Sequence, residues 1–297
     1  MIKLGMLDFD SSHSVEFTKR INHIDSPESQ WVTGAKIVIA CPGESKMSPE
    51  RIPGFTAKIK EYGVPLVDKP AEMIGKVDGM LIESVDGSVH LERARPFLEA
   101  GIPCFVDKPF TCSTADAREL IRLSEKKKLP IFSSSSLRYV PELVEYLSGG
   151  KAGRIEGCLT YGPASLAERN PGLFNYGIHA IEVLYAVMGP GCQRVSTMSD
   201  AGADVATGYW KDGRVASIRG IRKGRSGFGL TVFAEKEIRP LTLPTTNIYR
   251  ELLKRVISMF ETGKSPLDPA ITLEIVAFIE AANKSAANHG VPETVTP

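Results

Sequence analysis

Short runs of apolar and β-branched residues alternate with helical patterns through the first 135 residues, and this alternation leaves the chain few architectures to choose from. Residues 2–7, 36–41, 78–83, 102–106 and 129–133 read as strands. Between them, residues 15–23, 53–62, 90–100 and 114–127 read as helices, two of them stopped by Gly63 and Gly101. Pro96 is expected to kink the third helix or shift its start. Strand and helix in strict succession predict βαβ units, hence a doubly wound parallel sheet of nucleotide-binding type over residues 1–135.

Beyond Ser136 the texture changes. Strands are expected at 154–161, 193–198, 203–210, 214–221 and 228–234, with helices at 141–147, 177–188, 247–262 and 269–288. This predicts an α+β domain over 136–297, built on a mainly antiparallel open sheet. A sheet backed by helices on one face leaves the other face to be covered, so self-association through this domain, as a homodimer or homotetramer, is expected.

Charge narrows the partner. Lys plus Arg number 36 against 35 for Asp plus Glu, so no field of one sign is available to hold nucleic acid or an anionic membrane surface. A small molecule is the expected partner. Five cysteines without a CxxC pair argue against a disulfide framework or a zinc site and favour a reducing cytoplasm. The chain opens on a strand without an export signal pattern, and it holds no run of about 18 apolar residues that would cross a membrane.

Three motifs in order carry a resemblance. Asp107-Lys108-Pro109 follows Ala100-Gly101-Ile-Pro-Cys-Phe-Val, Asn175-Tyr-Gly177-Ile-His179 opens an apolar helix, and Gly263-Lys-Ser-Pro precedes an alanine-rich helix and Gly290-Val-Pro. Together they resemble the EKP motif, the DxGxH segment and the tail of the Gfo/Idh/MocA family of sugar and polyol dehydrogenases. The resemblance implies a Rossmann domain, a C-terminal open sheet that makes the oligomer contact, and hydride transfer between NAD or NADP and a sugar-like carbon. It nominates Lys108 to orient the substrate hydroxyl and touch the cofactor, and His179 as the acid or base, with Asn175 in the acidic position of the motif. Histidine suits that task because its ordinary pKa lies near neutrality. His90 and Glu83 are placed near the cofactor, and Arg138 and Tyr139 match a pair bordering the substrate.

The departures from the family pattern are sharp. Its GxGxxG turn falls on Asp8-Phe-Asp10-Ser11-Ser12-His13, so none of the three glycines is present. Glycines let the backbone approach the pyrophosphate, whereas one carboxylate about 4 Å from a phosphate costs on the order of 4 kcal/mol at an effective dielectric of 20. Cys41-Pro-Gly-Glu44 lacks an acid at the usual ribose position, with Glu44 as a substitute. Asn175 cannot accept a proton. The acids Asp8, Asp10, Glu83 and Asp86, with His13, gather at one sheet edge without metal-ligand spacing, so they read as loop and capping residues and no metal is expected. A second reading follows from the lost glycines, in which the same fold serves a non-redox lyase or isomerase or a binding protein.

Overall fold

The first strand, β1 (Ile2–Leu7), is buried on both faces from Leu4 onward, as a central parallel strand must be. The computed structural model describes all 297 residues, and the chain divides into two compact units. After β1 the first unit continues through α1 (His13–Ile21), β2 (Ala35–Cys41), α2 (Ile52–Glu61), β3 (Gly79–Ile82), α3 (His90–Glu99), β4 (Cys104–Val106), α4 (Thr114–Lys127) and β5 (Ile131–Phe132). All strand pairs are parallel, in the order β2-β1-β3-β4-β5. A single parallel bridge from Ala40 to Leu66 extends the sheet beyond β2. Counting that bridge as a vestigial strand gives the Rossmann order 3-2-1-4-5-6, with its switch point between β1 and β3. Pro96 sits inside α3, which nonetheless starts at His90 as expected.

The second unit takes Cys112–Thr114, Ser135–Ile248 and Ala270–Pro297. It contains α5 (Pro141–Ser148), β6 (Ile155–Pro163), α6 (Gly177–Met188), β7 (Cys192–Ser199), β8 (Ala203–Trp210), β9 (Val215–Ile221), β10 (Gly229–Ala234) and β11 (Ile238–Thr242). The chain then enters α7 (Ile248–Thr262), and residues 249–269 fall with the first unit. A β-carbon on Gly79 would collide with the Phe260 ring, so the bare backbone at the start of β3 is what lets α7 lie against it. The helix α8 (Pro269–Ala287) and the two-residue β12 (Glu293–Thr294) complete the second unit.

Its sheet runs β11-β10-β6-β9-β8-β7-β12. Every pair is antiparallel except β6 with β9, so the expected mainly antiparallel open sheet is present with one parallel seam. The edge strand β11 carries Pro240 and is largely exposed, which is why its residues lack the alternation of a half-buried strand. One face of the sheet is covered by α6, almost wholly buried, with Thr160 Oγ donating to the Ala180 carbonyl at 2.9 Å. Tyr185 of α6 and Phe278 of α8 meet edge to face at 5.8 Å, a contact that fixes one helix against the other.

The other face follows from register. Leu159 lies beside Thr231 and Ser217, and Ser217 beside Thr207. The adjacent row joins Tyr161 to Arg219 and Arg219 to Val205, with Val205 opposite Met198. Phe233, Ile238 and Met198 stand exposed on these strands. The surface is apolar and hydroxyl-bearing, with Arg219 its only charge in those two rows.

Candidate functional site

The turn after β1 keeps a glycine's backbone without the glycine. Asp8 has φ of 69°, the left-handed region that Asn and Asp tolerate better than other residues with side chains. Its amide donates to the Cys41 carbonyl at 3.0 Å, which holds the turn against the end of β2. The Asp8 side chain is buried: Oδ2 accepts from Ser84 Oγ and, at 3.1 Å, from Arg93 Nε. A β-carbon at Gly43 would collide with the other oxygen, so the loop after β2 closes over it. Burial lifts the Asp8 carboxyl to about 6, outweighing the Arg93 charge and the Ser84 hydrogen bond that act to lower it.

Asp10 is also buried, and its Oδ1 accepts from the Val85 amide at 3.0 Å. Burial raises its carboxyl as well, against the hydrogen bonds that lower it. The two acids are thus tied to the loop after β3, with the charge of Asp8 partly matched by Arg93. Ser11 Oγ accepts from the His13 amide at 3.2 Å, while Ser12, at the N-cap of α1, is exposed and makes no capping bond with its side chain. Beyond these strand ends lies a cavity of about 260 Å³, lined by Asp10, Glu44, Ser45, Lys46, Asp86 and Arg93 among others.

Further along the same sheet edge, His13 Nδ1 lies 2.7 Å from Asp107 Oδ2 and 3.8 Å from Glu83 Oε2. Asp107 and Glu83 are wholly buried. Burial acts to raise Asp107, but His13 and Lys108 hold it below the ordinary carboxylate range. Glu83 moves the other way, driven well up by burial and by the charge of Asp107. His13 stacks on Phe17 at 4.9 Å and meets Tyr249 edge-on at 5.0 Å, so its ring is fixed by packing. Lys108 follows directly at the end of β4; it is partly exposed, and its amide donates to Asp107 Oδ1 at 2.7 Å.

His90 is fully buried. Its Nδ1 faces the carbonyls of Pro109 and Phe110 at 2.9 and 3.1 Å, and its Nε2 faces the Ser84 carbonyl at 2.9 Å. The ring therefore lies between the loop after β3 and the loop after β4, against the backbone of Ser84 on one side and of Pro109 and Phe110 on the other.

In the second unit two rungs join residues 135–139 to α6. Ser135 Oγ lies 2.7 Å from His179 Nδ1, and Arg138 Nε donates to Glu182 Oε2 at 2.7 Å. His179 and Glu182 are three apart on the helix and so share a face. His179 is half-buried between the rings of Tyr176 and Phe228, each 5.7 Å away. Asn175 is buried and its amide donates to Ser165, to the carbonyl at 2.8 Å and the hydroxyl at 3.0 Å, so it anchors the loop after β6. Tyr139 is half-buried.

Four residues that the sequence did not single out shape these sites: Arg93, Ser84, Ser135 and Glu182. Arg93 stands 85 residues from Asp8, a separation no local pattern bridges. Glu182 did carry a signal, an acid three residues from His179 in an otherwise apolar helix.

Residues 37–134 match the model of the Gfo/Idh/MocA family, described as an oxidoreductase family with an NAD-binding Rossmann fold. No curated protein shares recognisable sequence similarity with the chain. Among solved structures, a probable dehydrogenase from Thermotoga maritima superposes with a TM-score of 0.82 at 17% identity, over 99% of each chain. Myo-inositol 2-dehydrogenase from Lactobacillus plantarum gives 0.81 at 14% identity, again over 99% of each. UDP-N-acetylglucosamine 3-dehydrogenase from Acidithiobacillus ferrooxidans gives 0.77 at 14%, covering 97% of this chain and 98% of its own. At these identities the likeness establishes the two-part fold from end to end.

Proposed function

We propose that this chain, whose residues 37–134 match the Gfo/Idh/MocA oxidoreductase model, is an NAD-dependent dehydrogenase acting on a secondary hydroxyl of a sugar, polyol or related compound. The observation that carries the reading is Lys108 at the carboxyl end of β4, beside the switch-point edge where such sheets hold their ligands. The solved neighbours act on an inositol and on a nucleotide sugar, which supports a polyhydroxylated substrate.

The first turn fits a dinucleotide in backbone and departs from the pattern in side chains. Asp8 supplies the positive φ that the tight turn needs, and both aspartates are turned onto protein partners. Ser11 and Ser12 at the start of α1 would take the pyrophosphate, helped by the helix N-terminus. Glu44, past the end of β2, would accept from the ribose hydroxyls. The cavity there carries Asp10, Glu44, Asp86 and Glu92 against Lys46 and Arg93, a balance that disfavours the extra phosphate of NADP. NAD is therefore the expected cofactor, bound more weakly than by a glycine turn.

Bound NAD supplies the hydride acceptor. The ammonium of Lys108 orients the substrate hydroxyl and favours its alkoxide character. His179, oriented through Nδ1 by Ser135, takes the hydroxyl proton as the carbon becomes a ketone. Arg138 and Tyr139 are assigned to substrate hydroxyls, and Asn175 to holding the loop that leads into α6. The exposed face of the second sheet, with Leu159, Phe233 and Met198, is assigned to contact between copies of the chain.

Calorimetric titration with NAD and NADP, followed by NADH formation on a panel of inositols, aldoses and nucleotide sugars, tests this reading. Binding of NAD in preference to NADP with turnover of at least one polyol is expected. Absence of any dinucleotide binding would favour the non-redox alternative on the same fold.

A further inference from the structure

The ends of three neighbouring strands converge on one buried point that the dehydrogenase chemistry does not use. His13 opens α1 after β1, Glu83 directly follows β3, and Asp107 directly follows β4. Ladder hydrogen bonds continue past the strands and hold the last two in place: the Glu83 amide donates to the Leu7 carbonyl and the Asp107 amide to the Ile82 carbonyl, both at 2.9 Å. One ligand atom from each side chain lies within 4.8 Å of the other two. Two ligands at about 2.1 Å from a common ion are separated by at most about 4.2 Å, so side-chain shifts of under about 1 Å would bring all three to a single cation.

The second observation is independent of that spacing. Glu83 is completely buried, and neither of its carboxyl oxygens has a hydrogen-bond partner. A polar group in that condition is costly, and a carboxylate most of all, because nothing replaces the water it has lost. His13 and Asp107 satisfy each other, and Asp107 is further bonded by the Lys108 amide. Glu83 alone faces the cluster with neither oxygen hydrogen-bonded, the nearer one 3.8 Å from His13 Nδ1.

We propose that His13, Glu83 and Asp107 form a binding site for one divalent first-row transition ion, with manganese or zinc as the fitting chemistry. The imidazole nitrogen selects such ions over magnesium or calcium, which take oxygen ligands. Two carboxylates balance the charge of the ion. Three protein ligands leave coordination positions open, and the ion enters past His13, the only ligand with exposed surface. No interval along the chain announces the site, since its ligands stand 70 and 24 residues apart, at 13, 83 and 107.

The full chain, stripped with a chelator, is reloaded with Mn²⁺ or Zn²⁺, passed through gel filtration and measured by elemental mass spectrometry. One equivalent per chain is expected, together with a rise in the thermal midpoint that Mg²⁺ does not produce. Manganese is the primary probe, because the partly exposed Cys112 offers zinc a rival ligand. Glu83→Gln keeps the volume and removes the charge, and it is expected to weaken manganese binding at least tenfold. Failure of the stripped wild-type chain to take up either ion overturns the proposal without any variant having to fold. So does equal uptake by a folded Glu83→Gln protein, or a crystal soaked in Mn²⁺ that shows only water and no anomalous signal at the cluster. NAD binding is read separately by calorimetry, so this result and that of the dehydrogenase reading do not depend on each other.

Discussion

Arg93 Nε lies 3.1 Å from Asp8 Oδ2, so the first residue of the strand-to-helix turn is an ion-paired acid where a Rossmann turn ordinarily has glycine. The pair is unequal. Asp8 is buried while the arginine side chain is about one-fifth exposed, at 21%. Burial therefore dominates the acid, and the arginine offsets it only in part.

That imbalance gives a pH dependence with a definite sign. The Asp8 carboxyl titrates at about 6 in the folded chain against an ordinary 3.8, so between those values the folded state holds more protons than the unfolded. Its contribution to stability is therefore present below pH 3.8 and lost as pH rises through 6, on the order of 3 kcal/mol for about two units. Asp8→Asn tolerates the same left-handed backbone and does not titrate. Urea unfolding at pH 4.5 and pH 7 should show the variant more stable than the parent at pH 7 by about 1–3 kcal/mol. An unchanged pH slope in the variant would mean that burial of Asp8 is not what sets its protonation.

Lys108 is partly exposed at the end of β4, where its amide donates to Asp107 Oδ1 and its charge helps to hold that carboxyl low. Lys108→Ala should lower kcat/KM by about a hundredfold or more while shifting stability by no more than about 0.5 kcal/mol. Steady-state kinetics beside thermal melting separates the two effects. A variant that loses stability and activity together would make the lysine structural.

Arg138 and Glu182 form a buried pair, their side chains 9% and 3% exposed. Removing one partner strands a charge, so Glu182→Ala should cost about 3–5 kcal/mol. Replacing both as Arg138→Met with Glu182→Leu should recover most of that loss, because two apolar groups need no partner. If the double variant is no better than the single one, the pair is not what the buried site depends on.

The uncovered sheet face is apolar around Leu159, Phe233 and Met198. Leu159→Lys with Phe233→Lys should turn a dimer or tetramer into monomer by light scattering at micromolar concentration. A parent that is monomeric under the same conditions removes the face from any role in assembly.

The parallel sheet was legible because its strands are buried on both faces and its helices are amphipathic, so period and punctuation agree over residues 1–135. The long helices α7 and α8 were legible for the same reason, within a residue or two of their ends. The unit to which α7 belongs was not, since nothing in residues 249–269 says which sheet they lie against, and Phe260 meets Gly79 only in three dimensions. β11 escaped notice because Pro240 breaks its pattern, and an edge strand has little burial to record. Asp8, Asp10 and His13 were visible as missing glycines, yet the side chains that receive them lie elsewhere: Arg93, Ser84 and Asp107 are far along the chain, and sequence spacing carries no trace of such pairings.

The ion pair also sets opposite expectations for the two residues that form it. If dinucleotide phosphates pass near the turn, Asp8 opposes them and Arg93 screens that opposition. Arg93→Ala should then weaken NAD binding, since it leaves a buried carboxyl with less to offset its charge. Asp8→Gly should strengthen it, since it removes the acid, keeps the positive φ and releases the guanidinium. A like-charge pair at about 4 Å and an effective dielectric of 20 is worth on the order of 4 kcal/mol, and partial screening leaves about a tenfold to hundredfold change each way. Calorimetric titrations at low and moderate salt should show the Asp8→Gly effect shrinking as salt screens it. The double variant should bind much as Asp8→Gly alone does if the arginine acts only as a screen, and more weakly if the guanidinium itself touches phosphate. Tight parental binding that neither substitution alters would place the phosphates away from this turn and would leave Asp8 as a residue of the fold alone.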